Sequence, residues 1–291
     1  MAVCLINLVT EKNNQIPRGK FYVAYQVGVV SVLLKPLLWT LGVSKINYPK
    51  LRINDVIGSY KPTRDVSGIA PLVVSNHSSW LDMFFFMMKN VSFLAKSEMA
   101  KTPILGVFAT ARQCLFLTRE SEQDRHKVME MINERTKRVV SHGDVSPILI
   151  FPEGTVTNGR CLMSFKKGAF VTGDPIKIFV LKYNSDPLSF TWSISNINSM
   201  HAILLSMTQL HTTVDMIEYE DNFDPHWIYQ TKNVRQDSED AWKEVAAAVK
   251  GLMAFAGNMH VDETTHRNLK DLEATSREYN QTLVDQKFKT R

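Results

Sequence analysis

Cysteine is nearly missing from this chain. Three residues in 291, Cys4, Cys114 and Cys161, are odd in number and widely separated. That excludes a disulfide framework, offers no metal-ligand spacing and fits a reducing compartment. A strong excess of one charge is also missing: 34 basic against 29 acidic residues leave a net charge of +5. So small an excess suits phosphate-bearing ligands or an anionic membrane face and gives no case for a nucleic-acid partner. Internal repeats and low-complexity tracts are absent. The first ten residues are apolar but carry no basic leader, and Glu11-Lys12-Asn13-Asn14 follows without a cleavage signature, so no secretory signal is expected.

An uninterrupted hydrophobic span is lacking too. Phe21 to Val43, FYVAYQVGVVSVLLKPLLWTLGV, is the most apolar segment and is long enough for a bilayer, yet Gln26, Lys35 and Pro36 interrupt it. Pro36 is expected to kink a helix where it stands. Two short helices dipping into one leaflet, a clean span and a buried core helix all fit this pattern. Arg18, Lys20, Lys45 and Lys50 flank it as interfacial anchors and favour shallow, monotopic insertion. Residues 1–50 are accordingly read as a membrane-associating helical segment.

What is present is organised around Pro71 to Met88, PLVVSNHSSWLDMFFFMM. Pro71 to Val74 reads as a buried strand, and Ser75-Asn76-His77-Ser78 breaks it. Ser79 has the chemistry of a helix N-cap, with Asp82 three residues on as a near-capping-box partner. Five residues turn a continuous helix about 140° past a full circle, so His77 and Asp82 do not share a helix face. A loop-to-helix corner brings them together, the carboxylate accepting from one imidazole nitrogen and leaving the other available for a proton. The alternative is that Asp82 only caps the helix while His77 hydrogen-bonds the loop.

Further strands are expected at Val91 to Ala95, Gln113 to Thr118, Pro147 to Phe151, Ile176 to Tyr183, Ser189 to Ser193 and Thr212 to Tyr219. Glu122 to Val140 is the clearest amphipathic helix, with Val128, Met131, Ile132 and Val139 on one face and Ser121 and Gly143 at its ends. Met200 to Leu210 reads as a short helix or a second membrane-touching segment, and Ala241 to Phe255 as a helix before a charged tail. Leu51 to Gly68 reads as a polar connector. Strands alternating with helices give an α/β class: a single domain with a mixed, largely parallel central sheet flanked by helices, over residues 51–235, followed by a C-terminal helical region over 236–291.

If the strands are parallel, three of their ends deliver His77 with Asp82, Arg119, and Glu153-Gly154-Thr155 to one edge, where sites gather in α/β sheets. His77 is then the candidate base, Asp82 its orienter, and Arg119 a fixed cation suited to a phosphate. Gly154 permits a tight turn whose amides, with the Thr155 hydroxyl, face phosphate or developing negative charge. Lys166 and Lys167 add positive charge. The plain alternatives are that Arg119 pairs with Glu120 or Glu122 and that both lysines are solvated surface.

These residues carry a resemblance. His77-Ser-Ser-Trp-Leu-Asp82 resembles the HxxxxD motif of the glycerolipid (PlsC-like) acyltransferases, Leu115-Phe-Leu-Thr-Arg119-Glu120 their second block, and Phe151-Pro-Glu-Gly-Thr155 their FPEGT block. Ser164-Phe-Lys-Lys-Gly-Ala-Phe170 and the stretch from Asp174 to Tyr183 are similar to the lysophosphatidylcholine and lysophosphatidylethanolamine branch. The likeness covers about Leu72 to Asp224. Many relatives carry an aliphatic-Pro-Val pattern where this chain has Ile176-Lys177-Ile178, and no calcium-binding D-x-D-x-D-G loop follows.

The resemblance implies an enzyme that moves an acyl group from acyl-CoA to the hydroxyl of a lysophospholipid, with His77 and Asp82 catalytic. It puts Arg119, Glu153, Gly154 and Thr155 on the acceptor phosphate and makes Lys96, Lys166 and Lys167 candidate contacts for acyl-CoA or phosphate. No metal and no cofactor is expected, acyl-CoA being a co-substrate. An endoplasmic reticulum membrane with the site facing the cytosol is the implied location. Glycerol-3-phosphate or lysophosphatidic acid acylation at the same site, and a catalytically silent membrane or lipid-droplet scaffold, are the competing readings.

Overall fold

The computed structural model describes residues 20–96, 112–117, 122–142, 145–184 and 211–264, with a few isolated positions between them. The strand expected at Ser189 to Ser193, the charged tail beyond Thr264 and Arg119 lie outside the described residues, as does nearly all of the segment Met200 to Leu210.

Helix α1 (Lys20–Thr40) leads into β1 (Val43–Asn47) and β2 (Lys50–Leu51). Next come β3 (Leu72–Val74), α2 (Asp82–Met87), β4 (Ser92–Lys96), β5 (Leu115–Leu117), α3 (Glu122–His142) and β6 (Ile148–Ile150). The two-residue β7 (Cys161–Leu162) precedes β8 (Ile176–Asn184) and β9 (Thr212–Tyr219), and the described chain ends with α4 (Pro225–Thr231), α5 (Ala241–Gly257) and β10 (His260–Val261). The main sheet has the order β1-β9-β8-β3-β6-β4-β5, with β2 also on β9, and β7 pairs with β10 in a small separate ribbon. Its described pairings are parallel except for β8 with β9. The expected mixed, largely parallel α/β sheet is therefore the observed one.

Alternation along the strands sends side chains to two cores, because successive residues of a strand point to opposite faces. Leu72, Val74, Ile148, Ile176, Ile178, Val180, Ile217 and Tyr219 meet α3, α4 and α5 on one face. Val73, Leu149, Phe179, Leu181, Val214 and Met216 meet α1 and α2 on the other. Helix α5 shows why it docks. Ala241, Val245, Val249, Leu252 and Met253 repeat at helical spacing and are buried, and Asn258 ends the helix in the left-handed region at φ 50°.

The segment Phe21 to Val43 resolves into one helix that continues through Pro36, not two. Val30, Leu34 and Leu38, at i, i+4 and i+8, are buried against the same core as Phe84, Phe85 and Phe86. Each such side chain contributes roughly 1.5–3 kcal/mol by leaving water, so this face belongs to the domain core. The rest of the helix surface keeps Tyr25, Val32, Leu33, Leu37 and Trp39 exposed, with Val32 and Trp39, on the side away from the core, at 70% each. Among the described residues no helix is long and apolar enough to cross a membrane. Strands β1 and β2 were not expected. They are short, polar-edged and pair with β9, some 170 residues away, so no local pattern announces them.

Candidate active site

The register of three strands builds the site. Val74 pairs with Ile150 on one side and Ile178 on the other, so the chains leaving β3 and β6 emerge side by side. Strand β8 does not stop there. Its nine residues run six past Ile178, and this overhang walls the loop that follows β3. Asn76, 1% exposed, uses the wall as a strand would. Its Oδ1 accepts from the Leu181 amide at 2.8 Å, while its Nδ2 donates to the Leu181 carbonyl and to the Ser78 hydroxyl, both at 2.9 Å.

The carboxylate of Asp82 is fully buried at the first residue of α2. Its Oδ2 accepts from His77 Nδ1 at 2.8 Å and from the amides of Ser78 and Ser79 at 2.7 and 3.0 Å. Its Oδ1 accepts from the Tyr183 hydroxyl. A buried carboxylate needs that many donors, since an unpaired one is too costly to bury as an anion. Asp82 thus ties the loop and bonds the imidazole, and its side chain does not cap the helix. Ser79 does not cap the helix as expected; its hydroxyl accepts from the Leu81 amide at 3.3 Å and the helix opens one residue after Leu81.

An acceptor on Nδ1 fixes the proton there and leaves the Nε2 lone pair outward. Among the described residues no group hydrogen-bonds Nε2, and the His77 side chain retains 17% exposure. Phe151 stacks on the ring at 4.1 Å between centroids and 13° between planes, and Phe86 meets Phe151 edge-on. The imidazole is held at one nitrogen and along one face.

The loop after β6 is bound to the loop after β3 from below. Glu153 is fully buried, its Oε1 accepting from the His77 amide at 3.2 Å and its Oε2 from the Met163 amide at 3.1 Å. The Thr157 amide donates to the His77 carbonyl at 2.8 Å. This corrects the expectation that Glu153 faces a phosphate: both oxygens point inward and hold backbone. Gly154 turns the chain at φ 71° and donates its amide to the Phe151 carbonyl at 3.0 Å. A Cβ there would collide with the side chain of Lys166, which crosses the turn. Thr155 has no hydrogen-bond partner among the described residues.

Consecutive lysines part company. Lys166 lies over Gly154, whereas Lys167 lines a cleft of about 380 Å3 with Phe170, Tyr229, Trp242 and Lys243, none of them part of the His77 site. Lys96 ends β4 beside Leu117 of β5, and Arg119 follows two residues beyond that strand. Sequence reasoning missed Asn76 and Tyr183 as site residues, because each acts across more than 100 residues of chain.

Burial pushes the Glu153 carboxyl up to about 7, with the Met163 and His77 amides pulling it back down. Below about 4.5 the group is protonated whether the chain is folded or unfolded. Between about 4.5 and 7 the folded state holds the proton more tightly, so stability falls as pH rises through that window. At about 1.4 kcal/mol per pH unit the loss is on the order of 3 kcal/mol. Denaturant titrations from pH 4.5 to 7.5 should show this decline in the natural protein and lose it in Glu153→Gln; superimposable slopes for the two would contradict the assignment.

Residues 61–176 match the acyltransferase family model. A lysophospholipid acyltransferase of Arabidopsis thaliana is 33% identical over 193 residues, covering 66% of this chain and 46% of that protein. Lysophosphatidylcholine acyltransferase 1 of Danio rerio is 33% identical over 154 residues, covering 53% of this chain and 29% of its own length. The chain thus spans less than half the length of these relatives. The crystal structure of PlsC from Thermotoga maritima, a 1-acyl-sn-glycerophosphate acyltransferase, superposes with a TM-score of 0.51 at 16% identity, covering 88% of this chain and 86% of that one, a likeness of fold. Residues 61–176 thus carry the sequence match to the acyltransferase family model, and the fold around them is like that of PlsC.

Proposed function

We propose that this protein transfers an acyl group from acyl-CoA to the free hydroxyl of a lysophospholipid of the lysophosphatidylcholine or lysophosphatidylethanolamine type. The observation that carries the proposal is the His77–Asp82 pair, with Nδ1 bonded to a buried carboxylate and Nε2 facing outward from the carboxyl end of a parallel sheet.

The chemistry follows from those atoms. Nε2 of neutral His77 takes the hydroxyl proton as the oxygen attacks the thioester carbonyl. The new carbon–oxygen bond gives a tetrahedral oxyanion. Its collapse breaks the carbon–sulfur bond, and the imidazolium returns its proton to the departing thiolate. Asp82 stabilises the imidazolium between these two transfers. Thr155 and the Lys166 ammonium beside Gly154 meet the acceptor phosphodiester, together with Arg119, which follows β5 in the sequence; charge-assisted contacts of this kind are the strong ones. Lys96, at another strand end, adds positive charge on the acyl-CoA side.

Both substrates are amphiphiles, so the site works at a membrane surface, here that of the endoplasmic reticulum on its cytosolic side. The exposed apolar face of α1 supports this, because its Val32 and Trp39 gain nothing from water. The buried face of the same helix packs on α2, which carries Asp82.

The decisive assay supplies labelled acyl-CoA and a panel of lysophospholipids, glycerol-3-phosphate and lysophosphatidic acid. Turnover with a lysophosphatidylcholine or lysophosphatidylethanolamine is expected. His77→Ala should cut it by about 10² to 10⁴-fold with the fold intact, and Asp82→Asn by much of that amount. Undiminished turnover in His77→Ala would rule the mechanism out. Separately, Val32→Glu combined with Trp39→Glu should lower sedimentation with phospholipid vesicles while leaving thermal stability unchanged; equal sedimentation would remove α1 from membrane attachment.

A further inference from the structure

The Asp82 carboxylate has one donor that neither the HxxxxD nor the FPEGT stretch supplies, the Tyr183 hydroxyl on β8. We propose that Tyr183 is a positioning residue of the site, whose hydroxyl holds Asp82 in the orientation that keeps the His77 proton on Nδ1 and the lone pair on Nε2.

Three observations carry this. The first is occupancy. With Tyr183 on Oδ1, the three donors His77, Ser78 and Ser79 all converge on Oδ2, so the carboxyl plane has a defined rotation. Without that hydroxyl, Oδ1 is left buried and unbonded, and rotation of the carboxyl to share its donors between both oxygens becomes favourable. The second is placement. The Leu181 amide and carbonyl are both bonded to the Asn76 side chain, and Tyr183 stands two residues further on the same face of β8. The Asn76 clamp therefore sets the register in which Tyr183 meets Asp82. Phe85 packs edge-on against the Tyr183 ring at 6.0 Å and fixes its other side. The third is protonation. Burial and the neighbouring Asp82 charge hold the phenol well above its ordinary range, against a smaller opposing effect of Ser79, so it remains a donor at any working pH.

Asn76 and Tyr183 are thus one device. The long parallel strand overshoots its three-residue neighbour and supplies, in sequence, a backbone clamp for the His77 loop and a hydroxyl for Asp82. Tyr183 touches neither substrate nor the reacting atoms; it acts through Asp82.

The inference rests on the acyl-transfer reading for its kinetic part and not for its structural part, so the test reads both. Protein labelled with ring nitrogen-15 histidine is compared as natural protein and as Tyr183→Phe, which keeps the ring and removes only the hydroxyl, with His77→Gln to assign the His77 signals. The expected result is a His77 spectrum dominated by the Nδ1–H tautomer in the natural protein and mixed in Tyr183→Phe. With it goes a fall in kcat of about tenfold at an unchanged KM for the lysophospholipid. In the D82N background Tyr183→Phe should cost no further activity. Incorporation of 3-fluorotyrosine at position 183, which keeps the donor, should retain both the spectrum and kcat, and it serves as the readout if Tyr183→Phe does not fold. An unchanged His77 spectrum in Tyr183→Phe, or altered signals with the fluorinated donor in place, overturns the proposal. Altered signals in Tyr183→Phe alongside a natural protein that turns over no acyl acceptor would sustain it and defeat the acyl-transfer reading alone.

Discussion

One buried negative charge governs this architecture. Asp82 has no contact with water, yet it stands where a carboxylate must remain ionised to orient an imidazole. The desolvation cost of such a group is several kcal/mol, and only a full set of donors makes it tolerable. Those donors come from the loop after β3 and from β8, more than 100 residues further along the chain. Satisfying the charge therefore draws separate parts of the chain to one point, and the imidazole is aligned by the same interactions that hold the loop in shape.

Glu153 does the corresponding work for the neighbouring loop. A side chain that sequence pattern offers as a ligand for phosphate turns inward and joins His77 to Met163 through their amides. The Thr157 amide closes the same joint onto the His77 carbonyl. Two loops from adjacent parallel strands become one rigid unit, with Phe151 stacked on the imidazole and Gly154 carrying Lys166 over the turn. Rigidity of this kind matters because general-base catalysis depends on hydrogen-bond geometry to a fraction of an ångström.

Much of this was legible in the sequence, for identifiable reasons. Strands such as Ile148–Ile150 and Ile176–Asn184 are apolar runs bounded by turn residues, and α3 and α5 show helical periodicity. The His77–Asp82 corner was readable because the break at Ser75-Asn76 excludes a continuous helix. What was not legible depends on partners distant in sequence. Lys166 and Lys167 read as one basic pair, but a 3-10 turn begins at Lys167 and sends the two to different surroundings. Strands β1 and β2 carry Lys45 and Lys50 and gain their identity only from β9. Tyr183 looks like the end of a strand until the overhang of β8 past Val74 is known, and that length difference is a property of the sheet.

With His77 proposed as the base that activates one substrate against the other, the proposed acyl transfer is direct. Ser78 and Ser79 lend backbone to Asp82, and Cys161 stands apart with a thiol whose pKa burial raises, so none of them is prepared as a nucleophile. The measurement that tests this most directly is an initial-rate matrix in acyl-CoA and lysophospholipid, paired with intact-protein mass spectrometry after exposure to acyl-CoA alone. Direct transfer predicts intersecting double-reciprocal lines and no acylated protein. Parallel lines, with an acyl group recovered on Ser78, Ser79 or Cys161, would contradict it.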